Sequence, residues 1–375
     1  MNKLNFEIST FLQKQIDAKD FPSAVYLVAE KGEIVFRDAL GYAVVEPEKI
    51  EAKLDTIYDL ASLTKPLVTG LLCAKLIEKK ELQLGRMIDY YLPEFDTVDA
   101  HKNSEPDVSI NELLVHVSLF PGWKPFYVFA NERGEILAEI IKTSLNLKQP
   151  IVTYSDLNFL ILTFLLEKLY GERIDEIAKK EIFAPLNLQN TFYNPPQELR
   201  NRIAASEKGN EYEKQMCLDL GYDVSKYDWR DYQIWGEVHD GNCYFMNGVS
   251  GHAGLFSTAE ETCRIAQQFL ANQTKLLKPE TCDLFRTNFT EGFNEARSIA
   301  FQLAETKDST ASLALSKDSF GHLGFTGTSL WVDPSTERIF ILLTNRTHAH
   351  RLPFANINSV RRKFHKIAAK LIDER

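Results

Sequence analysis

Ser62 and Lys65 stand three residues apart in Asp59-Leu60-Ala61-Ser62-Leu63-Thr64-Lys65. In a helix that spacing puts both side chains near one face. A serine hydroxyl is a weak nucleophile at neutral pH. A neighbouring lysine would accept its proton if burial or nearby positive charge lowered the ammonium pKa. A helix start also favours developing negative charge and offers a backbone N–H to an oxyanion. Ser-x-x-Lys arises by chance about once in a chain of this length at ordinary residue usage, so the tetrapeptide alone does not define a nucleophile.

Two further segments bear on the same chemistry. In Thr153-Tyr154-Ser155-Asp156, Ser155 or Asp156 is expected to cap the helix that follows. Capping leaves Tyr154 unexplained. A phenol beside a lysine ammonium is stabilised as phenolate and relays protons; the plain alternative is a half-buried packing aromatic. In Gly321-His322-Leu323-Gly324-Phe325-Thr326-Gly327-Thr328-Ser329, three glycines at a strand entrance allow close approach of a substrate to the backbone. Taken alone, the segment also reads as a glycine-rich turn before a sheet strand.

The elements that must hold these segments follow from apolar spacing. Leu4, Ile8, Phe11, Leu12 and Ile16 recur at helical spacing. Apolar runs at 24–29 and 34–36 flank Glu30-Lys31-Gly32-Glu33 and suggest a hairpin. Residues 41–53 are charged and read as an irregular surface crossing. A helix is expected from Ser62, with Pro66 in its first turn. Others are expected at 110–116, 134–145, 155–170 and 174–182. Strands are expected at 298–303, 310–315, 327–332 and 338–343, and a last amphipathic helix at 357–372. The economical fold is α+β, with both strand groups in one antiparallel sheet, the terminal helices on one face, and a large helical region inserted between the strand groups. The sheet region would comprise about 1–61 and 290–375, and the helical region about 62–289. Site segments near 62, 154 and 322 require one catalytic unit rather than independent domains.

Composition narrows the function classes. The 375 residues carry a net charge of −9, with 44% hydrophobic and 25% charged residues, which fits a globular chain with a sizeable core. The acidic balance argues against a nucleic-acid partner. The first twenty residues lack a signal-peptide pattern, and no stretch reaches 18 apolar residues, so a cytoplasmic protein without a membrane span is expected. Cys73, Cys217, Cys243, Cys263 and Cys282 lack close pairing. His239, His252, His348 and His350 match no metal-ligand spacing and are expected in structural or surface roles. Trp123, Tyr127, Trp229, Trp235 and Tyr244 read as core or rim packing. There is no P-loop or dinucleotide fingerprint, and neither cofactor nor metal is expected.

Together, the three site segments resemble those of the serine β-lactamase and penicillin-binding-protein superfamily, above all its class C-like serine hydrolase and esterase branch. Ser62-x-x-Lys65 resembles the nucleophile motif. Tyr154-Ser155-Asp156 resembles a tyrosine motif that is usually Tyr-x-Asn. His322-Leu323-Gly324 falls where the family has Lys-Thr-Gly or His-Thr-Gly. Tyr58-Asp59-Leu60-Ala61, Leu113-Leu114-Val115-His116, Gly251 to Thr258 and Gly327 to Pro334 are similar to family segments as well. The resemblance spans about residues 20–350. It implies that Ser62 attacks an ester or amide carbonyl and that Lys65 and Tyr154 handle its proton. It further implies that the Ser62 and Phe325 backbone N–H groups hold the oxyanion, and that Asp156, His322 and Gly324 support the substrate site. The expected partner is a small ester or amide substrate, a peptide among them.

Departures set the expectations about substrate. Asp156 in place of Asn either pairs with Lys65 and raises its pKa, or orients the ammonium beside a Tyr154 phenolate. His322 and Leu323 replace the Lys and Thr, which favours a carboxylesterase-like hydrolase with weak or no β-lactamase activity. The alternatives are a D-amino-acid or cell-wall peptide hydrolase or β-lactamase of the same fold, and a catalytically retired binding protein. Leu119 stands where relatives have Gly, and is expected to reshape the cleft edge.

Overall fold

The computed structural model describes residues 5–95, 108–146 and 151–375; Leu4 of the first helix pattern lies outside them. The chain begins with helix α1 (Phe6–Asp17) and strands β1 (Ser23–Glu30), β2 (Glu33–Val44), β3 (Ile50–Glu51) and β4 (Tyr58–Asp59). The helical middle holds α2 (Leu71–Glu78), α3 (Ile110–Leu114), α4 (Ile136–Ile141), α5 (Asp156–Tyr170) and α6 (Ile174–Ala178). Next come β5 (Phe192–Tyr193), α7 (Glu211–Asp219), α8 (Gly241–Phe245), β6 (Leu255–Ser257) and α9 (Ala259–Ala266). The chain closes with β7 (Arg297–Ser298), β8 (Phe301–Leu303), β9 (Phe320–Leu323), β10 (Ser329–Asp333), β11 (Arg338–Thr344) and α10 (Asn358–Asp373).

Strands from both ends of the sequence form one antiparallel sheet, in the order β3-β2-β1-β11-β10-β9-β8-β7. Its centre is the long-range pair β1–β11, in register from Ala24↔Thr344 to Glu30↔Arg338. Successive side chains of a strand face opposite sides, and both central strands are apolar on both. Ala24, Tyr26, Val28, Phe340 and Leu342 pack with Ile8, Leu12, Phe364 and Ala368 of α1 and α10. Val25, Leu27, Ile339, Ile341 and Leu343 face the helical middle, with Leu71, Leu160 and Ile265. The terminal helices share one face and the inserted helical region covers the other, as expected.

Four local readings change. First, residues 41–53 are not all irregular, because β2 runs on through Gly41 to Val44. Gly41 sits at φ +73°, and a Cβ there would lie 2.2 Å from the Pro22 carbonyl oxygen, so the bend needs glycine. Second, residues 298–303 form a tight hairpin, β7–β8, turning at Ala300 with φ +59°. Third, residues 310–315 form no strand. Ser312 has φ +76° and Leu313 is exposed, while Ala311 and Leu315 anchor the segment on the α10 side of the sheet. Fourth, no continuous helix starts at Ser62. A 3₁₀ turn (Ala61–Leu63) and a wide π-type turn (Lys65–Gly70) precede α2. A second sheet, β4-β6-β5, was invisible in the sequence because its strands have only two or three residues. Among the described residues no helix is long and apolar enough to cross a membrane.

Candidate active site

Ser62 lies in the turn between β4 and the π-type segment, not at the N-terminus of an α-helix as expected. Ala61, just before it, has φ +48°, a left-handed conformation disfavoured for a residue with Cβ. The turn is held from both sides. The Ala61 N–H donates to Asp59 Oδ1 at 2.8 Å, and Thr64 Oγ1 donates to the Ala61 carbonyl at 2.7 Å. Asp59 is buried and also accepts from the His239 N–H at 2.8 Å. Strain at such a site persists only when its surroundings over-determine it, as these bonds do.

Lys65 is fully buried beneath Ser62. Its Nζ donates to Ser62 Oγ at 3.0 Å and to the His252 carbonyl at 3.0 Å, and lies 2.6 Å from Asp156 Oδ1. Burial by itself pushes the lysine pKa down. The Asp156 carboxylate and Tyr154 more than offset this and hold it above the ordinary lysine value. Asp156 pairs with Lys65, and the paired ammonium lies under the Tyr154 ring, so the geometry accommodates both readings of Asp156. Lys65 is therefore an ammonium at neutral pH, unable to accept the Ser62 proton as it stands.

Tyr154 lies over Lys65, its ring centre 5.1 Å from Nζ. Burial raises the phenol pKa above its ordinary value; Lys65 offsets this only in part, and the Asp156 carboxylate adds to the rise. Its hydroxyl is buried without a well-formed hydrogen bond, near both Lys65 and Ser62. Four hydrogen bonds fix its backbone against the loop after α3. The Thr153 N–H donates to the His116 carbonyl at 2.9 Å and the Ser155 N–H to His116 Nδ1 at 3.0 Å. Ser155 Oγ donates to the Pro121 carbonyl at 2.7 Å and the Asp156 N–H to that of Gly122 at 2.8 Å. Neither Ser155 nor Asp156 caps α5 through its side chain, contrary to expectation. Both side chains are committed to other partners.

The third segment is strand β9 and the loop after it. Thr326 Oγ1 donates to the Asp59 carbonyl at 2.7 Å, and Thr328 Oγ1 to that of Leu60 at 3.0 Å. These two hydroxyls stitch the loop to the turn carrying Ser62. A Cβ on Gly324 would lie 2.0 Å from Thr328 Oγ1 and 2.5 Å from the Leu60 carbonyl oxygen, so only glycine fits there. Phe325 follows, beside Ser62 in the cleft, and its N–H has no acceptor among the described residues. His322 is buried; its Nδ1–H donates to the Leu323 carbonyl at 2.9 Å, which leaves Nε2 an unpartnered acceptor. Burial, reinforced by Lys65 and Arg297, pushes its pKa well down, so the ring is neutral.

All seven singled-out residues converge on one cleft. Ser62, Tyr154 and Phe325 border both of its lobes. One lobe, about 340 Å³, carries Trp123, Asp156, Glu213 and Asp240. The other, about 460 Å³, carries His322, Gly324, Arg297, Arg346 and Arg361. Sequence reading missed Asp59, Thr326, Thr328 and Arg297, and did not see how His116 grips the tyrosine segment. Their signals are single polar residues far apart in sequence. His252 is buried as expected, bonded to Asp240 at 2.9 Å and Ser250 at 2.7 Å. Among the described residues, no three His, Cys, Asp or Glu side chains are grouped to hold a metal.

The sequence model of the beta-lactamase family matches residues 8–361. A protein of Escherichia coli (strain K12) named "Putative D-alanyl-D-alanine carboxypeptidase" is 28% identical, over 93% of this chain and 83% of its own. The fold matches that of EstCE1, a hydrolase with promiscuous acyltransferase activity, with a TM-score of 0.73 at 20% identity, over 96% of this chain and 97% of that one. It also matches a class C beta-lactamase from Rhodobacter sphaeroides, with a TM-score of 0.73 at 15% identity, over 98% of this chain and 100% of that one. The chain belongs to the beta-lactamase family of serine hydrolases.

Proposed function

We propose that this member of the family cleaves ester or amide bonds through an acyl-enzyme on Ser62, as a carboxylesterase-like hydrolase with weak or no β-lactam turnover. One observation carries the reading: Lys65 Nζ reaches Ser62 Oγ at 3.0 Å while Asp156 pins it as an ammonium, beside a phenol that has no other partner. Tyr154, as phenolate stabilised by that ammonium, takes the Ser62 proton as Oγ attacks the carbonyl carbon. The oxyanion sits between the Ser62 and Phe325 N–H groups. Tyr154 then returns the proton to the leaving oxygen or nitrogen as its bond to carbon breaks. Water repeats the sequence in reverse, freeing the acid and restoring Ser62. Lys65 keeps its charge throughout. The sheet strands from both chain ends and the inserted helices act as one catalytic unit, since each supplies part of this site.

A second reading, hydrolysis of D-amino-acid peptides, is favoured by the arginine-lined lobe and by the name of the relative in E. coli. Neutral His322 in place of the family lysine counts against efficient turnover of that class. Fluorophosphonate labelling and nitrophenyl ester turnover, compared between the native chain and Ser62→Ala, test the hydrolase reading. Labelling and turnover should vanish in the variant; equal signals in both would dismiss Ser62 and, with it, the acyl-enzyme. Loss in the variant likewise removes the retired-enzyme alternative.

A further inference from the structure

The two N–H groups that would face the oxyanion come from segments remote in sequence. That of Ser62 belongs to the turn held by Asp59, and that of Phe325 to the loop after β9. Backbone chemistry sets part of their placement. The Phe325 N–H shares a planar trans peptide unit with the Gly324 carbonyl, so the two point opposite ways. Arg361 Nη2 donates to that carbonyl at 2.8 Å and so sets the direction of the N–H. Thr326 and Thr328 tie the residues that follow to the turn. Phe325 itself rests on side chains.

The Phe325 ring meets two others. His239 stacks on it, 5.4 Å between centres and 26° between planes, and the Tyr212 ring lies 4.7 Å away. A single carboxylate holds both. Glu207 Oε2 pairs with His239 Nε2 at 2.7 Å, and Glu207 Oε1 accepts from the Tyr212 N–H at 2.9 Å. The Glu207 and His239 side chains are each only 5% exposed. Burial pushes the His239 pKa down. The bond to Glu207 more than offsets this, Glu213 adds to the rise and Arg230 opposes it, which leaves the ring above the ordinary histidine value. His239 also reaches the other half of the hole. Its backbone N–H donates to Asp59 Oδ2 at 2.8 Å, while Asp59 Oδ1 accepts from the Ala61 N–H at 2.8 Å. One residue thus touches the support of the Ser62 turn with its backbone and Phe325 with its ring. A buried ion pair contributes little net stability over an apolar pair of the same shape. Stability therefore does not account for the place of His239 beside Ser62 and Phe325 in the cleft.

We propose that the Glu207–His239 pair is the positioning element of the oxyanion hole, setting the Phe325 N–H against that of Ser62. This deepens the hydrolase reading and rests on it. His239 acts through Phe325 and Asp59, not on the reacting atoms. Charge on the carbonyl oxygen grows as Ser62 Oγ attacks, so misplaced donors are felt in the transition state and hardly in substrate binding. The carboxylate is needed as such. A glutamine at 207 has one oxygen, which cannot accept from both the Tyr212 N–H and the His239 Nε2–H. One of the two rings against Phe325 would lose its anchor.

The test uses the full chain, nitrophenyl acetate turnover and inhibition by phenylboronic acid, whose boron takes up a serine Oγ to give a tetrahedral anion resembling the transition state. Rates are referred to the Ser62 sites that fluorophosphonate titrates, so that a misfolded fraction does not count. Glu207→Gln and His239→Ala should each lower kcat by about 10- to 10²-fold, with KM within about twofold. Each should raise the inhibition constant of the boronic acid by a similar factor. His239→Phe, which keeps a ring against Phe325, should recover part of the loss. Native kcat per titrated site in E207Q and H239A overturns the proposal, since a purely structural pair would lower only the number of sites. So does a lowered kcat with unchanged boronate inhibition, or a loss that lies in KM. Should the histidine variants fail to fold, E207Q, which removes one acceptor and no volume, decides. If Ser62 of the native chain resists fluorophosphonate, the hydrolase reading falls and this proposal falls with it. If Ser62 labels and E207Q turns esters over as the native chain does, this proposal falls alone.

Discussion

Asp156→Asn removes the anion that sets the proton affinity of both Lys65 and Tyr154. In the native chain the carboxylate lies 2.6 Å from Lys65 Nζ, with the lysine side chain 0% and the aspartate 17% exposed. An opposite charge that close shifts a pKa by about 1–3 units, or roughly 1.4–4 kcal/mol. Asp156 raises both Lys65 and Tyr154, so its removal lowers both. A general base acts only when deprotonated, so kcat/KM climbs with pH until its pKa is passed. In D156N that climb should move to lower pH by about one unit or more. Below it the rate rises several-fold, since a weaker base gives back part of the up to ~10-fold per unit. Nitrophenyl ester kinetics across the pH range would read the shift, with Asp156→Glu as the charge-keeping control. Stability carries an independent sign. In the native chain the raised Lys65 pKa contributes stability that is full below about pH 10.4 and is lost as pH rises through the still higher folded value. In D156N burial is opposed by Tyr154 alone, so the folded pKa falls and whatever stability the raised value contributes is lost at lower pH than in the native chain. At neutral pH a buried ammonium without its partner costs about 3–5 kcal/mol at most, reduced as Lys65 loses its proton. A climb that moved to higher pH, or did not move in D156N, would refute the assignment of Asp156 as the group controlling the base.

Two further perturbations test the frame around this pair. Gly324→Ala drives a methyl group to 2.0 Å from Thr328 Oγ1 and 2.5 Å from the Leu60 carbonyl; displacing Phe325 should cost about 10²- to 10³-fold in kcat. Nitrophenyl ester kinetics read it, and a loss under about tenfold would show that the loop position is not set by this contact. Acid should destabilise the fold through His116, His322 and His365, all buried with pKa values pushed down by burial, His365 to about 3. Unfolded histidine titrates near 6.5, so below that pH the unfolded chain binds more protons and each of the three removes about 1.4 kcal/mol per pH unit. Together they remove about 4 kcal/mol at pH 5.5, opposed by His239, whose pKa is raised. Urea unfolding at pH 7.5 and 5.5 measures the difference, and equal stabilities would contradict neutral buried rings.

The site was legible where its parts are contiguous. Ser62 to Lys65, Tyr154 to Asp156 and His322 to Phe325 each pair a reactive group with backbone that must be close, and local spacing reports that. The central strands were legible for the same reason, with apolar runs marking β1 and β11. Pieces that depend on partners far away were not. Arg297 stands on a two-residue strand whose meaning comes from Tyr154, remote in sequence. Thr326 and Thr328 look like ordinary turn residues until the Asp59 and Leu60 carbonyls lie opposite them. The expected strand at 310–315 failed for a complementary reason: among the described residues no strand pairs with it, and Ser312, at φ +76°, turns it away.

Leu119 shows how far a departure from family pattern can be read. A leucine where relatives carry glycine suggested a reshaped cleft edge. The structure keeps the left-handed backbone there, with φ +67°, at a cost of order 1–3 kcal/mol for a residue with Cβ. The surrounding loop supplies the compensation. The Leu119 carbonyl accepts from the Asn146 N–H at 2.8 Å, and Ser118 Oγ donates to Asn158 Oδ1 at 2.6 Å. On either side, His116, Pro121 and Gly122 receive the bonds that fix Tyr154. Releasing Leu119 into an unstrained conformation would move this loop and take Tyr154 with it. The strain is thus held by the same bonds that place the phenol beside Lys65, so the substitution at 119 is no sign of a decayed site.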